Sequence, residues 1–379
     1  MFYWLFYEKL FQTHVVSGFR VFGYSTFRTA SCALTALFLS IALGPWLIQR
    51  LRQFQIGQYI REDGPQSHMK KAGTPTMGGL LIIISIVVPT LLWTNLRNPY
   101  VWVALFGLLS FGAIGFTDDY LKIRRRKNQG LTVKQKFGLQ ILAALCVGFI
   151  LLTLHAQKLY STNINVPFFK NFKPDLLIES FTHNPLTYAL AFLGFYGFMI
   201  LVIVGSSDAV NLTDGLDGLA IGLMIIASGA VTVLAYVTGH AKFAEYLDLA
   251  RLPGASELTP FCAAMVGASL GFLWYNAHPA QVFMGDVGSL ALGGALGVVA
   301  VLIKQEILLL FIGGVYVMEA VSVILQVGSY KLRRKRIFKM APLHHHFEAL
   351  GWPESKIITR FWILGLIMAL FALTTLKLR

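Results

Sequence analysis

Charge is scarce in this 379-residue chain. Only 13% of residues are Asp, Glu, Lys or Arg, about half the roughly 25% of an ordinary soluble domain. Acids are scarcer than bases, 18 against 32, for a formal net charge of +14. Hydrophobic residues make up 56% of the chain, and mean hydropathy is +0.64. That apolar content excludes a disordered protein and argues against a water-soluble enzyme. Cysteine is rare too. Cys32, Cys146 and Cys262 all lie inside apolar runs at spacings that match no metal motif, so they read as buried, inert thiols. No Walker A loop, GxSxG elbow or HExxH helix occurs, which removes three large enzyme classes.

What is abundant is uncharged chain. Runs without a charge cover 29–49, 72–96, 98–117, 137–157, 180–207, 218–241, 258–285, 287–303 and 361–376, and a tenth, 307–330, is interrupted only by Glu319. Crossing a bilayer takes roughly 17–25 apolar residues. The expected fold is therefore an all-α integral membrane protein with about ten transmembrane helices. The polar tail Asn276, His278, Pro279 and Gln281 leaves the run 258–285, whose helix is expected to end near Tyr275.

The bases set orientation. Segments 50–71, 122–136 and 331–360 hold 20 of the 32 Lys and Arg, and they follow the first, third and ninth runs, so they share one side. By the positive-inside rule that side is cytoplasmic and both termini lie outside. The basicity then needs no nucleic acid to explain it. The whole chain, 1–379, is expected to form one polytopic membrane domain. Residues 1–28, which begin Met-Phe-Tyr-Trp-Leu-Phe-Tyr, suit an aromatic interfacial helix and lack the features of a signal peptide. Residues 155–185 form an external loop in which a small hairpin is expected around 163–166, and 331–360 is a basic cytoplasmic loop.

With so few acids, their positions are informative. Asp118-Asp119 ends the third run, Asp208, Asp214 and Asp217 follow the fifth, Asp286 follows the seventh, and His344-His345-His346 follows the ninth. By the same topology all face the cytoplasm. Adjacent carboxylates repel unless a cation intervenes, and Mg²⁺ is typically held by one or two carboxylates plus substrate phosphates. A solvated helix end beside Lys122 explains Asp118-Asp119 equally well. In Asn211-Leu-Thr-Asp214-Gly-Leu-Asp217-Gly, polar groups recur every three residues and share one helical side. They suit ribose, a base edge or a metal, although N-terminal capping accounts for Asp217 alone. Phe283-Met-Gly-Asp286-Val-Gly places an acid between glycines at a helix start, as an ion site or an N-cap. Pro342 argues that the three His sit in a loop. Lys70, Lys71 and Thr76 add phosphate-binding candidates. Glu319 has no assigned role. Carboxylates with bases at a membrane surface suit a phosphate-bearing substrate.

The strings Gly-Thr-Pro-Thr-Met-Gly-Gly, Asp-Asp-Tyr-Leu-Lys, Asn-Leu-Thr-Asp-Gly-Leu-Asp-Gly-Leu, Phe-Met-Gly-Asp-Val-Gly-Ser and Ala-Pro-Leu-His-His-His-Phe-Glu together resemble the polyprenyl-phosphate N-acetylhexosamine-1-phosphate transferase superfamily. The resemblance spans nearly the whole chain, and the triple His resembles the branch that moves phospho-N-acetylmuramoyl-pentapeptide. It implies a Mg²⁺-dependent transfer of that group from UDP-N-acetylmuramoyl-pentapeptide to undecaprenyl phosphate. The products would be lipid I and UMP, at the inner membrane of a bacterium, by a homodimer. It further implies Asp118, Asp119 and Asp286 as catalytic acids, with Asp286 and Asp118 as metal ligands. Lys71, Asn211, Asp214, Asp217, Asn276 and Phe283 would line the nucleotide and sugar site, and Thr76, Lys122, Lys134, His344, His345 and His346 would contact phosphates or sugar. A sister enzyme using UDP-N-acetylglucosamine and a secondary transporter with a carboxylate ion site are the alternatives.

Overall fold

A computed structural model describes residues 1–11, 17–53, 73–125, 129–169, 172–177, 185–247, 249 and 251–376. In chain order the helices are α1 (Ser25–Gln53), α2 (Gly79–Trp93), α3 (Pro99–Arg125), α4 (Val133–Ala156), α5 (Pro185–Thr213), α6 (Leu219–Gly239), the short α7 (Ala241–Tyr246), α8 (Leu258–Asn276), α9 (Gly285–Leu302), α10 (Glu306–Ile312), α11 (Gly314–Arg333), the short α12 (Leu343–Ala349) and α13 (Glu354–Thr374). Each uncharged run of the sequence carries one of these helices, save 307–330, which is divided between α10 and α11, and the chain is a multi-pass, all-α membrane protein.

Among the described residues eight helices are long and apolar enough to cross a bilayer, or nine if α10 and α11 form one span bent by 87°. The count falls short of ten at α2. Its 15 residues rise roughly 22 Å at 1.5 Å each, less than the roughly 30 Å hydrocarbon core. The run predicted over 72–96 is trimmed because its glycines are used elsewhere: the amides of Gly78 and Gly79 donate to the carbonyls of Phe283 and Met284, 2.9 Å each. α8 ends at Asn276, one residue past the expected Tyr275.

α9 is the hub. Every residue from Val287 to Leu302 is buried, as a helix that is apolar all round requires. It packs on α3 and α5, while α1 and α6 pack on α8. Small residues let backbones approach. A Cβ at Gly79 would lie 2.1 Å from the amide nitrogen of Gly288, so the start of α9 rests directly on α2. In membranes, where lipid is as apolar as Leu, such close packing is a main source of helix association.

The N-terminal residues form a π-helical turn, Tyr3–Phe11, and a 3₁₀ segment, Ser17–Gly23. Phe6 meets Phe19 and Phe22, and the Met1 ammonium donates to the carbonyls of Leu91 and Leu92. Among the described residues, the connection after α4 carries one isolated antiparallel bridge, Asn163 to Asp175.

Candidate active site

The site assembles where α3 ends and α9 begins. Gly115 makes this possible: a Cβ there would lie 2.1 Å from the carbonyl oxygen of Asp286. With that contact open, Asp118, Asp119 and Asp286 each offer an oxygen, and the three lie within 4.8 Å of one another. Asp118 and Asp119 are buried, at 3% and 4% exposure. Gly285, at φ +72°, turns the chain into α9, and a Cβ on it would meet Asp119 Oδ2 at 2.6 Å and Thr76 Oγ1 at 2.9 Å. Only glycine adopts this backbone readily.

Two lysines enter the cluster. Lys122 Nζ lies 2.6 Å from Asp118 Oδ2, 3.3 Å from Asp119 Oδ1 and 2.8 Å from Asp286 Oδ2. Lys136 Nζ is also 2.8 Å from Asp286 Oδ2. Three carboxylates thus share two ammonium groups. The acids are individually oriented. Leu131 N–H donates to Asp118 Oδ1 (2.7 Å), Val287 N–H to Asp119 Oδ2 (3.2 Å), and Asn211 Nδ2 to both Asp286 Oδ1 and Ser289 Oγ (2.8 Å each). Beside them, Gln140 Nε2 donates to Asp208 Oδ1 (2.8 Å). Asp214 is half-buried in the turn between α5 and α6. Burial, and then the charges of Asp286, Asp119 and Asp217, push its carboxyl up to about 8.

A second polar group adjoins α6. Asp217 Oδ2 accepts from Ala280 N–H and lies 3.1 Å from His278 Nδ1. Asn276 Oδ1 accepts from Gly218 N–H (3.0 Å), and its Nδ2 donates to the Val282 carbonyl (2.9 Å). Its amide is therefore engaged by backbone on both sides. Phe283 is half-buried, and its N–H donates to the Pro75 carbonyl (2.8 Å).

The three His occupy a seven-residue helix, α12, rather than the loop that Pro342 suggested, because Pro342 sits at its N-cap, where a missing N–H costs nothing. They diverge. His344 is fully buried against Gly215, with its backbone N–H donating to Glu319 Oε1 (3.2 Å) and its Nδ1 3.3 Å from the same oxygen. Glu319 therefore faces the bundle interior. His345 Nδ1 lies 2.6 Å from Glu348 Oε2, and His346 Nδ1 accepts from Lys339 N–H (3.1 Å).

Of the sequence-derived residues, the structure brings Thr76, Asp118, Asp119, Lys122, Asn211 and Asp286 together. Asp217, in the turn before α6, Asn276, at the end of α8, and His344, on α12, lie alongside. Lys134 is exposed near the start of α4, and it is Lys136 that reaches the acids. Lys71 lies outside the described residues. Lys136, Gln140, His278 and Glu354 were not singled out by sequence.

Comparisons with known proteins identify the family of the chain. A profile of glycosyl transferase family 4 matches residues 101–304, and a phospho-N-acetylmuramoyl-pentapeptide-transferase signature matches residues 71–83. Proteins named phospho-N-acetylmuramoyl-pentapeptide-transferase align along the whole chain. Those of Solibacter usitatus and Koribacter versatilis are 67% and 64% identical over 100% of both chains. That of Desulfatibacillum aliphaticivorans is 55% identical over 95% of this chain and 96% of its own. The chain belongs to the phospho-N-acetylmuramoyl-pentapeptide-transferase family, within glycosyl transferase family 4.

Proposed function

We propose that this chain transfers phospho-N-acetylmuramoyl-pentapeptide from its UDP-activated form to undecaprenyl phosphate, giving lipid I and UMP. The site would lie at the cytoplasmic face of the bacterial inner membrane, with both termini outside. The observation that carries this reading is the cluster itself: three carboxylates from α3 and α9 within 4.8 Å, met by Lys122 and Lys136. Its position at the end of α3, where the basic 122–136 segment begins, supports the cytoplasmic assignment. An apolar cavity of about 260 Å³ between α5, α9, α10 and α11, lined by Leu201, Ala209, Leu296, Leu310 and Val317, suits a polyprenyl chain.

The donor set fits Mg²⁺. All three groups are hard carboxylate oxygens, and the Lys122 ammonium already gathers an oxygen from each acid, so the cluster accommodates a cation. Asp286 and Asp118 would hold the ion, with Asp119 beside them. When bound, Mg²⁺ supplies charge neutralisation to the diphosphate and to departing UMP.

The chain's own residues account for the remainder. Phosphoryl transfer is mainly positioning and charge stabilisation. Lys122 and Lys136 draw two anions together, which is the main obstacle. Asn211 fixes the rotamer of Asp286. Phe283 offers a ring to the base, and Asp214 and Asp217 border the nucleotide. Thr76, His345 and His346 contact phosphate or sugar, with His344 bracing the turn beneath them. A phosphate monoester has its second pKa near about 6 and is largely dianionic at neutral pH, so the acceptor needs little activation. Asp118 takes any residual proton. We favour direct attack by the lipid phosphate over a prior attack by an aspartate.

Purified protein given Mg²⁺, undecaprenyl phosphate and UDP-N-acetylmuramoyl-pentapeptide should release UMP and form lipid I. Release with UDP-N-acetylglucosamine instead would move the chain to the sister reaction. A labelled acyl-phosphate formed on the enzyme without lipid acceptor would overturn direct attack.

A further inference from the structure

Glu354 is the first residue of α13, with Pro353 at the N-cap. An acid there is ordinarily explained by the helix dipole, which asks for no partner. This side chain, however, is 11% exposed and turns away from its own helix. Its Oε1 accepts the backbone N–H of Asp217, 137 residues earlier, at 2.9 Å. Its Oε2 lies 3.6 Å from His278 Nδ1. A carboxylate accepting an amide hydrogen bond away from bulk water makes one of the stronger contacts available to a backbone N–H.

That amide matters because a strap hangs from it. Asp217 Oδ2 holds Ala280 N–H and faces His278. The next amide, Gly218 N–H, is held by Asn276, which also ties the Val282 carbonyl. Gln281 N–H donates to the Tyr275 carbonyl (2.8 Å). Residues 277–282 are thus tied to Asp217 and Gly218, and they run on into Phe283 and Met284, which Pro75, Gly78 and Gly79 hold from the other side, and so to Gly285 and Asp286. Glu354 anchors the upper end of this suspension, from a helix that contributes nothing to the acidic cluster.

We propose that Glu354 is a positioning residue for the nucleotide end of the donor. It holds the Asp217 amide, fixes the strap that carries Phe283, and touches no reacting atom. The inference rests on the reading above that Asp217 and Phe283 border the nucleotide.

The test uses the full-length protein in detergent with Mg²⁺, undecaprenyl phosphate and UDP-N-acetylmuramoyl-pentapeptide. Glu354→Ala should raise KM for the donor about tenfold or more, the worth of one charge-assisted hydrogen bond. The acceptor KM and kcat should move by less than about threefold, because uniform binding and not transition-state contact is lost. Glu354→Gln keeps a carbonyl oxygen for the Asp217 amide and should restore the donor KM. A folded Ala variant with the wild-type donor KM overturns the proposal. If Ala does not fold, Glu354→Asp, one methylene shorter, is read the same way. Hydrogen exchange without substrate gives a separate readout: the Asp217 and Ala280 amides should exchange faster in the Ala variant, and unchanged exchange also overturns the proposal. A wild-type protein inactive toward this donor would instead sink the reading of the site, while exchange still reports on the strap.

Discussion

The two ends of α9 handle buried charge in opposite ways. Beyond its C-terminal end, charges are matched. Lys304 faces Glu306 at 3.7 Å and is bonded to the Tyr160 hydroxyl, and burial pushes its ammonium down to about 8 against the opposing pull of Glu306. At the same end Arg28 makes two bonds to Glu257, 2.6 and 2.7 Å, and Asn95 N–H donates to Glu257 at 2.8 Å. At the N-terminal end three carboxylates share two ammonium groups, and Asp208 lies beside them. Matched pairs pin helices together. A surplus of one sign raises the energy of the fold and persists where a cation and an anionic substrate are to be received. Buried charge by itself does not distinguish the two ends; imbalance does.

The contrast is open to test at both ends. The largest effect expected is from removing divalent cations: chelation should lower UMP release by about 10³-fold or more, with recovery on adding Mg²⁺. Turnover indifferent to chelation would mean that the acids are structural like their counterparts. Next, Gly115→Ala forces a Cβ to within 2.1 Å of the Asp286 carbonyl. Displacing the start of α9 by an ångström should cost about 10²-fold in turnover, measurable in steady state alongside unaltered helicity by circular dichroism. At the matched end, Arg28→Ala leaves Glu257 buried and unpaired. It should cost about 3–5 kcal/mol of stability, read from thermal inactivation, while turnover per folded molecule is unchanged. The narrowest effect, confined to one pH window, concerns Asp214. Its folded pKa, about 8, lies above the ordinary 3.8, so the folded state keeps a proton that the unfolded chain releases. That contribution to stability is fully present below about pH 4 and is lost as pH rises through about 8. Asp214→Asn should flatten this part of the stability–pH curve.

Much of this was legible in the sequence because bilayer physics leaves few options. Uncharged runs located the helices, and the scarcity of acids located the cluster. Register was harder. Lys134 and Lys136 are two residues apart, so on α4 they point about 200° apart. The signal was present: Gln140, Ala143, Ala144, Val147 and Leu151 form the buried stripe of α4, and Lys136 continues it by one turn whereas Lys134 does not. The shortness of α2 was hidden, since Gly78 and Gly79 read as apolar chain yet pair with residues 283 and 284, 205 positions later. Asn276 resembles a ligand because its type suits one; that its amide also ties the Gly218 N–H to the Val282 carbonyl is a backbone pairing that spacing does not announce. Glu354 was invisible for the same reason: its partner is a backbone amide, which leaves no mark on composition or spacing.

The most direct measurement compares UMP release from UDP-N-acetylmuramoyl-pentapeptide by the wild-type protein and by Asp286→Asn, with Mg²⁺ and undecaprenyl phosphate present. The substitution keeps size and removes one charge from the surplus, at the acid that Lys122, Lys136 and Asn211 all hold. A folded variant that has lost about 10³-fold or more of turnover is the result this account expects. A folded variant within about tenfold of wild type, a difference of about 1.4 kcal/mol in barrier, would contradict the claim that the imbalanced end of α9 is the transferring centre.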